Sequence, residues 1–163
     1  MSEIRRATID DLAAIEHIVA EAFAAYVPRM GMRPAPMDDD YGARIAAGEV
    51  EVCVDGDGIA GVLVLVIGGD EAKLEIVAVA ERMRGRGLGR RLVAHAEAAS
   101  RAAGCARISL YTHETMTENR AIYPRLGYVE THRARQDGFD RVFFSRTLAP
   151  LPGRPGAPTG GRG

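Results

Sequence analysis

The hydrophobic positions near the N-terminus repeat at the spacing of an α-helix. Thr8 precedes this repeat, and Asp11 three residues later completes a capping-box pattern, which predicts a helix start. The apolar stripe predicts that one face of this helix packs against the rest of the protein. The stripe comprises Leu12, Ile15, Ile18, Val19, Ala22 and Phe23.

Three further helices are indicated by their start and stop signals. The acidic run 38–40 suits the start of a short helix that Gly48 ends. A long helix is predicted over 87–103, before Gly104, and another over 118–126, where Pro124 interrupts the pattern. The proline-rich and methionine-rich segment 27–37 is predicted to be a loop.

Seven segments have the composition of strands. The near-continuous apolar run 59–67 predicts a strand in the middle of a sheet. The full set of predicted strands is 4–7, 50–54, 59–67, 73–79, 107–111, 129–133 and 141–148. The resulting order, β-α-α-β-β-β-α-β-α-β-β, predicts an α/β fold with a mixed sheet. The strand–helix–strand unit over 73–111 is expected to be parallel with a right-handed crossover, whereas the other neighbours are expected to be hairpins.

Length and composition place the chain among ordinary globular proteins. A chain of 163 residues fits one domain, predicted over 1–149, followed by a Pro-, Gly- and Arg-rich tail over 150–163 that is predicted to be disordered. The formal net charge of −1 argues against a nucleic-acid partner. The longest apolar run is too short to span a membrane, and the N-terminus does not resemble a signal peptide. Cys53 and Cys105 form no metal-type pair, so we expect no metal site and a reduced, cytoplasmic setting.

Alternating glycines between a predicted strand and the long helix carry the candidate chemistry. Gly85, Gly87 and Gly89 allow backbone amides to approach a ligand closely. The helix that follows presents unpaired N–H groups and the positive end of its dipole, which together fit a pyrophosphate. Arg84 and Arg90 add positive charge nearby.

Three ligand-binding patterns compete for this loop. A Walker loop needs Gly-Lys-Ser/Thr, but Gly89 is followed by Arg90, so that pattern fails. A dinucleotide fingerprint counted from Gly85 places Arg90 at its third glycine and fits poorly. The remaining pattern, R/Q-x-x-G-x-G/A, is matched by Arg84, Gly87 and Gly89. A flexible loop that binds nothing is the alternative to all three.

Two stretches of the chain resemble the GCN5-related N-acetyltransferase superfamily. They are 74–89, which contains LEIVAV and RGRGLG, and 121–128, AIYPRLGY. The resemblance extends over about residues 3–148 in the order of elements. It implies acetyl-CoA as the donor and a primary amine as the acceptor substrate. Dimers are common in this superfamily, so the resemblance also allows a homodimer.

The resemblance assigns cofactor-binding roles to individual residues. The backbone of Val77, Ala78 and Val79 is expected to bind the pantetheine arm as an added strand. Met116 stands where the superfamily often has an Asn, and Asn119 is a candidate substitute. The pyrophosphate is expected at Arg84, Gly85, Arg86, Gly87, Leu88, Gly89 and Arg90.

Two side chains are candidates for proton transfer. Tyr123 is expected near the thioester sulfur as a general acid, with simple packing as the alternative. Glu75 shares the strand parity of Val77 and Val79, so it is expected to face the acceptor and relay a proton; an exposed carboxylate without a role is the alternative. His113 and Glu114 are weaker candidates.

The acceptor is expected beside the segment after the first helix, and the last hairpin, around Phe139, Asp140 and Arg141, is a candidate to close the other side. Tyr26, Met30 and Arg33 are predicted to contact it, and Arg33 is a candidate for binding a carboxylate; ordinary loop packing is the alternative. The sequence thus predicts an N-acetyltransferase acting by direct attack in a ternary complex, with a small-molecule acceptor. A protein or peptide acetyltransferase, a non-catalytic acyl-CoA sensor and an unrelated nucleotide-binding domain remain the alternatives.

Overall fold

The computed structural model describes residues 2–149, so the tail predicted over 150–163 lies outside the described residues. The predicted order of elements is confirmed, with one extra short helix. The elements are β1 Glu3–Arg6, α1 Leu12–Phe23, α2 Tyr26–Met30, α3 Tyr41–Ala46, β2 Val50–Asp55, β3 Gly58–Gly68, β4 Glu71–Val79, α4 Leu88–Ala102, β5 Arg107–His113, α5 Thr117–Arg125, β6 Val129–Gln136 and β7 Phe139–Thr147. Within residues 2–149, no helix is long and apolar enough to cross a bilayer.

Local side-chain contacts start the helices where the sequence predicts. The N–H of Thr8 donates to the Asp11 carboxylate at 2.8 Å, and Asp40 accepts from the N–H of Ala43 at 3.0 Å at the start of α3. The prediction of a continuous loop over 27–37 is wrong, because α2 and a 3₁₀ turn, Ala35–Asp38, lie there. Pro28 falls in the first turn of α2, where a missing N–H costs no helical bond.

The seven strands form one mixed sheet in the order β1-β2-β3-β4-β5-β7-β6. As predicted, β4 and β5 are parallel and the other neighbours are antiparallel. The apolar strand β3 lies inside the sheet, as its composition predicts. The last strand, β7, lies between β5 and β6, so the final hairpin places its second strand against the parallel pair.

Helices cover both faces of the sheet and make two apolar layers. On one face, Ile15 and Val19 of α1 pack with Val52 and Val62. On the other face, Leu92 of α4 packs in a cluster with strand residues such as Leu63, Ile108 and Val142. Cys53 and Cys105 are buried free thiols, as expected of core residues.

The feature that positions the site is an opening between β4 and β5. These strands pair only from Glu71–Arg107 to Leu74–Leu110. At that point β4 has a bulge, since Leu65 pairs with Leu74 while Val64 pairs with Ile76, which leaves Glu75 unpaired. Beyond the bulge β4 keeps β3 as a partner, but its other edge, over 75–79, faces the opening.

The bulge corrects the expected placement of Glu75. The sequence predicts that Glu75 shares a face with Val77 and Val79, because strand side chains alternate. That prediction is wrong, since one extra residue interrupts the alternation. Val77 and Val79 pack against the α4 layer. Glu75 and Lys73 instead line a separate groove, which we call the outer groove.

Candidate active site

A groove of about 620 Å³ runs along the glycine loop and the neighbouring edge of β4. We call it the loop groove. Tyr26 and Arg29 of α2 and Asn119 of α5 line it opposite Val77 and Val79 of β4. The glycine loop itself contributes Arg84, Gly85, Gly87, Leu88 and Gly89.

The three glycines of the loop differ in backbone conformation and in the space beside them. Gly85 and Gly87 adopt φ values of 76° and 79°, which disfavour any side chain. A Cβ at either position would meet no protein atom within 4 Å, so the space beside them is open. Gly89 has no such φ, and a Cβ there would make an ordinary contact with Val79 at 3.9 Å, so neither its backbone nor its packing requires glycine.

The backbone amides of the loop are the strongest chemical feature of the groove. Among residues 2–149, the amides of 85–90 donate to no acceptor, and the N–H of Arg91 is the first to pair, with the Gly87 carbonyl at 3.1 Å. The N-terminus of α4 adds its dipole. Arg86 and Arg90 are exposed and form no ion pair within the described chain. These groups fit the diphosphate of a nucleotide-like ligand.

The open edge of β4 supplies a second backbone surface. Its residues 76–79 pair with β3 on one side, and within the described chain 75–79 have no strand partner toward β5. Such an edge presents N–H and C=O groups that an extended amide chain can pair with, as in strand addition. This edge and the loop amides border the same groove, so one long ligand can contact both.

A second cavity, the inner cavity, lies where β4 and β5 separate. It shares Phe23, Val77 and Asn119 with the loop groove, so the two spaces are adjacent. Met30 lies on its α2 side and Tyr123 on its α5 side. Glu75, Tyr111, Thr112, His113, Phe139 and Arg141 also line it.

Tyr123 is held by aromatic packing and keeps its proton. Its ring lies 5.6 Å from Tyr128 and 5.9 Å from Phe144, measured between centroids. Burial raises the pKa of Tyr123 to about 12, so the hydroxyl is protonated at neutral pH. No hydrogen bond joins this hydroxyl to another described residue, which leaves it available to a ligand in the cavity.

Glu75 is a half-buried carboxylate without a close partner. Burial raises its pKa above the usual value, and the Arg44 guanidinium acts in the opposite direction. Arg44 itself is paired with Asp39 at 2.8 Å and Glu49 at 3.1 Å, and no residue in 2–149 hydrogen-bonds to Glu75. The bulge therefore places at the inner cavity a carboxylate without a hydrogen-bonded partner, on which Arg44, Lys73 and Arg141 act only at longer range.

Of the other predicted site residues, only some lie at the inner cavity. Met30 and Asn119 line the inner cavity, and the Asn119 amide donates to Thr112 Oγ1 at 3.3 Å. Tyr26 lines the loop groove instead. The expected acceptor contact of Arg33 is not supported, because Arg33 lines neither space and donates to Asp38 at 3.0 Å.

The two weaker base candidates, His113 and Glu114, lie in different surroundings. His113 lines the inner cavity, and burial lowers its pKa, which favours the neutral ring. The N–H of Thr115 donates to His113 Nδ1 at 3.1 Å, so the proton of the neutral ring lies on Nε2. Neither ring nitrogen is then free to accept a proton from a ligand. Glu114 is exposed, lies outside the inner cavity, and has Arg133 as its ion-pair partner at 3.7 Å.

Sequence reasoning expected the last hairpin beside the acceptor but missed Tyr111. The guanidinium carbon of Arg141 lies 4.2 Å from the ring centroid of Tyr111, and both side chains line the cavity. The turn signal of Asp137 and Gly138 indicated the hairpin that carries Arg141. No local pattern indicated the pairing of β7 with β5 that brings Arg141 against Tyr111.

A mixed sheet that opens between two parallel strands, next to a glycine loop with unpaired amides, defines an N-acyltransferase class of fold. The comparison with known proteins gives the family within that class. Residues 12–128 match the sequence model of the Acetyltransferase (GNAT) family, and the chain belongs to this family. The resemblance seen in the sequence is thereby confirmed.

One curated relative is similar over nearly the whole of this chain. The chain is 31% identical over 160 residues to a mycothiol acetyltransferase of Tsukamurella paurometabola, and the aligned region covers 98% of this chain and 48% of that protein. The chain therefore spans about half the length of this curated relative.

Two solved structures share the fold. A PaiA N-acetyltransferase of Thermoplasma acidophilum, solved in complex with coenzyme A, has a TM-score of 0.75 at 16% identity, over 91% of this chain and 99% of that one. The ribosomal-protein-S18-alanine N-acetyltransferase of Escherichia coli has a TM-score of 0.74 at 22% identity, over 93% and 96%.

Proposed function

We propose that this protein is an acetyl-CoA-dependent N-acetyltransferase that acts on a small-molecule primary amine. One observation carries the proposal: the unpaired amides of 85–90 and the open β4 edge border a groove that lies next to a cavity lined by Tyr123. The solved PaiA relative is a coenzyme A complex, which supports the same ligand here.

In this proposal the two backbone surfaces hold the donor. The amides of 85–90 and the side chains of Arg84, Arg86 and Arg90 bind the diphosphate. Val77, Ala78 and Val79 pair with the amide groups of the pantetheine arm, and Asn119 lies beside that arm. The thioester then lies at the junction of the loop groove and the inner cavity.

The acceptor amine reacts from the inner cavity by direct attack in a ternary complex. Its nitrogen lone pair forms a bond to the thioester carbonyl carbon, the carbon–sulfur bond breaks, and the nitrogen releases one proton. Backbone N–H groups on the open edge of β4 stabilise the negative charge that develops on the carbonyl oxygen. The products are an amide and a free thiol.

Two side chains complete the proton balance. Tyr123 donates its hydroxyl proton to the departing sulfur, which its raised pKa permits because the proton is retained until the thiolate forms. Glu75 accepts the proton released by the amine, directly or through water. Return of that proton to Tyr123 through solvent restores both groups.

The shape of the inner cavity supports a small acceptor. Met30 of α2 and the prolines Pro34 and Pro36 line one side, so the segment after α1 partly covers the site. A peptide acceptor is the second candidate, since the outer groove of about 580 Å³ shares Glu75 and Tyr111 with the cavity and offers room for a longer chain. A homodimer and a cytoplasmic location remain predictions.

A thiol-release assay tests the proposal. The protein is incubated with acetyl-CoA and panels of amines, amino acids and peptides, and calorimetry measures the binding of CoA, ATP and NAD. We expect amine-dependent release of CoA thiol and binding of CoA in preference to ATP or NAD. CoA binding without turnover on any amine would indicate a sensor. Equal competition by ATP or NAD would indicate a different nucleotide site.

A further inference from the structure

Arg141 is the one arginine that lines the inner cavity among the described residues, and it is held in a fixed position. Only 12% of its side chain is exposed. Its guanidinium stacks on Tyr111 at 4.2 Å and lies 5.6 Å from the Phe139 ring. Nη1 donates to the Gln136 side chain at 3.0 Å. A guanidinium packed in this way is preorganised for a planar anionic group.

In the described chain Arg141 has one long ion pair, with Asp137 at 3.9 Å. Gln136 is neutral, and the Asp137 side chain is 85% exposed, so solvent screens that pair. Glu75 lines the same cavity but lies beyond the 4.0 Å of an ion pair. A guanidinium has five N–H donors, and described side chains accept only one hydrogen bond from this one. A buried charge of this kind is stabilised by a complementary group from a ligand.

Other arginines near the cavity are already paired. Arg44 contacts both Asp39 and Glu49, and Arg33 contacts Asp38. The inner cavity is therefore lined by two opposite charges that have no charged hydrogen-bond partner in the described chain, Glu75 on β4 and Arg141 on β7. A molecule with an amine at one position and a carboxylate at another complements both, whereas a polyamine would place positive charge against Arg141.

We propose that the acceptor is an amino acid or another amine that bears a carboxylate, and that Arg141 binds this carboxylate while the amine faces Glu75. This inference rests on the proposed acetyltransferase function. It assigns to Arg141 the role that the sequence predicted for Arg33. Arg141 is thus a specificity residue, which selects the acceptor and takes no part in proton transfer.

Matched substrate sets test this assignment on the wild-type protein. Glycine, alanine, methionine and phenylalanine are each compared with the corresponding amino-acid amide and decarboxylated amine, and kcat/KM is measured by thiol release. We expect the best amino acid to exceed its amide by about 10- to 100-fold, the change that follows when a charged donor loses its partner. Equal or faster acetylation of the amides or the amines would overturn the proposal.

Variants test whether the preference for the acid over the amide depends on Arg141. In Arg141→Gln the ratio of kcat/KM for the acid to that for the amide is expected to fall to about one, mainly because KM for the acid rises. Arg141→Lys is expected to retain part of the preference for the acid. Arg135→Gln removes the same charge from an exposed position in the same hairpin and is expected to keep the full preference. A preference that survives in Arg141→Gln would contradict the assignment. Melting temperature and CoA affinity confirm that each variant is folded.

A binding experiment separates this inference from the proposed function. N-acetylated amino acids and their amides are titrated into the CoA-bound protein, which requires no turnover. Tighter binding of the acids, lost in Arg141→Gln, supports the carboxylate site even when no amine is acetylated; in that case only the catalytic proposal fails. Equal binding, or no binding of the acids, overturns the carboxylate site itself.

Discussion

The guanidinium of Arg29 donates to the carboxylate of Glu118 at 2.9 Å and so connects α2 to α5 beside the loop groove. Both residues line this groove. The side chains are 42% and 53% exposed, so water and salt screen the pair, and it contributes little to global stability. Its effect is expected to be local: it holds α2, which carries Tyr26 and Met30, against the groove.

Breaking that contact should loosen α2 without unfolding the protein. In Arg29→Gln we expect faster amide hydrogen exchange over 26–31 and a melting temperature within about 2 °C of the wild type, as for other exposed pairs. High salt should have a similar effect on the wild type. Arg133→Gln, which breaks an exposed pair on β6, serves as the control. Unchanged exchange over 26–31 would show that the contact does not restrain α2.

The general-acid role of Tyr123 predicts a loss of rate without a loss of donor binding. Tyr123→Phe removes one oxygen and keeps the ring that packs on Tyr128 and Phe144. We expect kcat to fall by about 100-fold, a typical contribution of a general acid, and the Kd for CoA to change by less than about twofold. Steady-state kinetics and calorimetry measure the two quantities. An unaffected kcat would assign Tyr123 to packing alone.

The pKa of Tyr123 also predicts part of the pH profile. A group with a raised pKa of about 12 remains protonated through the neutral and mildly alkaline range. We therefore expect no loss of kcat from this residue between pH 7 and 9. An alkaline decrease of kcat in that window, absent from Tyr123→Phe, would contradict its assignment.

The role of Glu75 predicts the acidic side of the profile. A base must be ionised, so kcat/KM should fall as pH decreases through its pKa, and burial moves this fall to higher pH than for an exposed glutamate. Glu75→Gln should lower kcat/KM by about tenfold or more and remove this limb. Glu114→Gln is the control, because Glu114 lies outside the inner cavity.

The same carboxylate predicts a gain in stability when it is neutralised. A folded-state pKa above the unfolded value means that the folded protein binds the proton more tightly, so its contribution is largest at low pH and is lost as pH rises through the folded pKa. At pH 7.5 the ionised Glu75 is therefore destabilising. We expect Glu75→Gln to melt at a higher temperature than the wild type at pH 7.5, with a smaller difference at pH 4.

Two glycines with similar backbone geometry separate ligand binding from strain. Gly87 in the loop has φ 79° and Gly104 after α4 has φ 86°, and a Cβ at either meets no atom within 4 Å. Substitution by alanine should cost each variant about 1 kcal/mol of unfolding free energy. Only Gly87→Ala should weaken CoA binding, by about tenfold, because its methyl group enters the space beside the unpaired amides. Equal CoA affinity in both variants would argue against the loop as the diphosphate site.

Local patterns were sufficient to predict much of the fold. The capping of α1 by Thr8 and Asp11, the buried run of β3, and the glycine loop before α4 depend on neighbours in the chain, so their signals are short-range. The parallel crossover followed from strand–helix–strand order, since a right-handed connection is nearly obligatory.

The missed features depend on distant partners. The bulge at Glu75 exists because Val64 and Leu65 pair across it with different register, and no pattern within β4 records this. Arg33 has the charge expected of a carboxylate-binding residue, but Asp38 neutralises it. Arg141 reaches the cavity only because β7 pairs with β5, a long-range contact that periodicity does not encode.

The position of β7 also has a consequence for how the chain is made. Because β7 lies between β5 and β6, the edge of β5 stays unpaired on the ribosome until Phe139–Thr147 has emerged. The glycine loop of the nascent chain can be complete while Arg141 has not yet been synthesised. Ability to bind the donor should therefore precede ability to select an acceptor, and a translation arrest before residue 139 should yield a polypeptide prone to edge-to-edge aggregation.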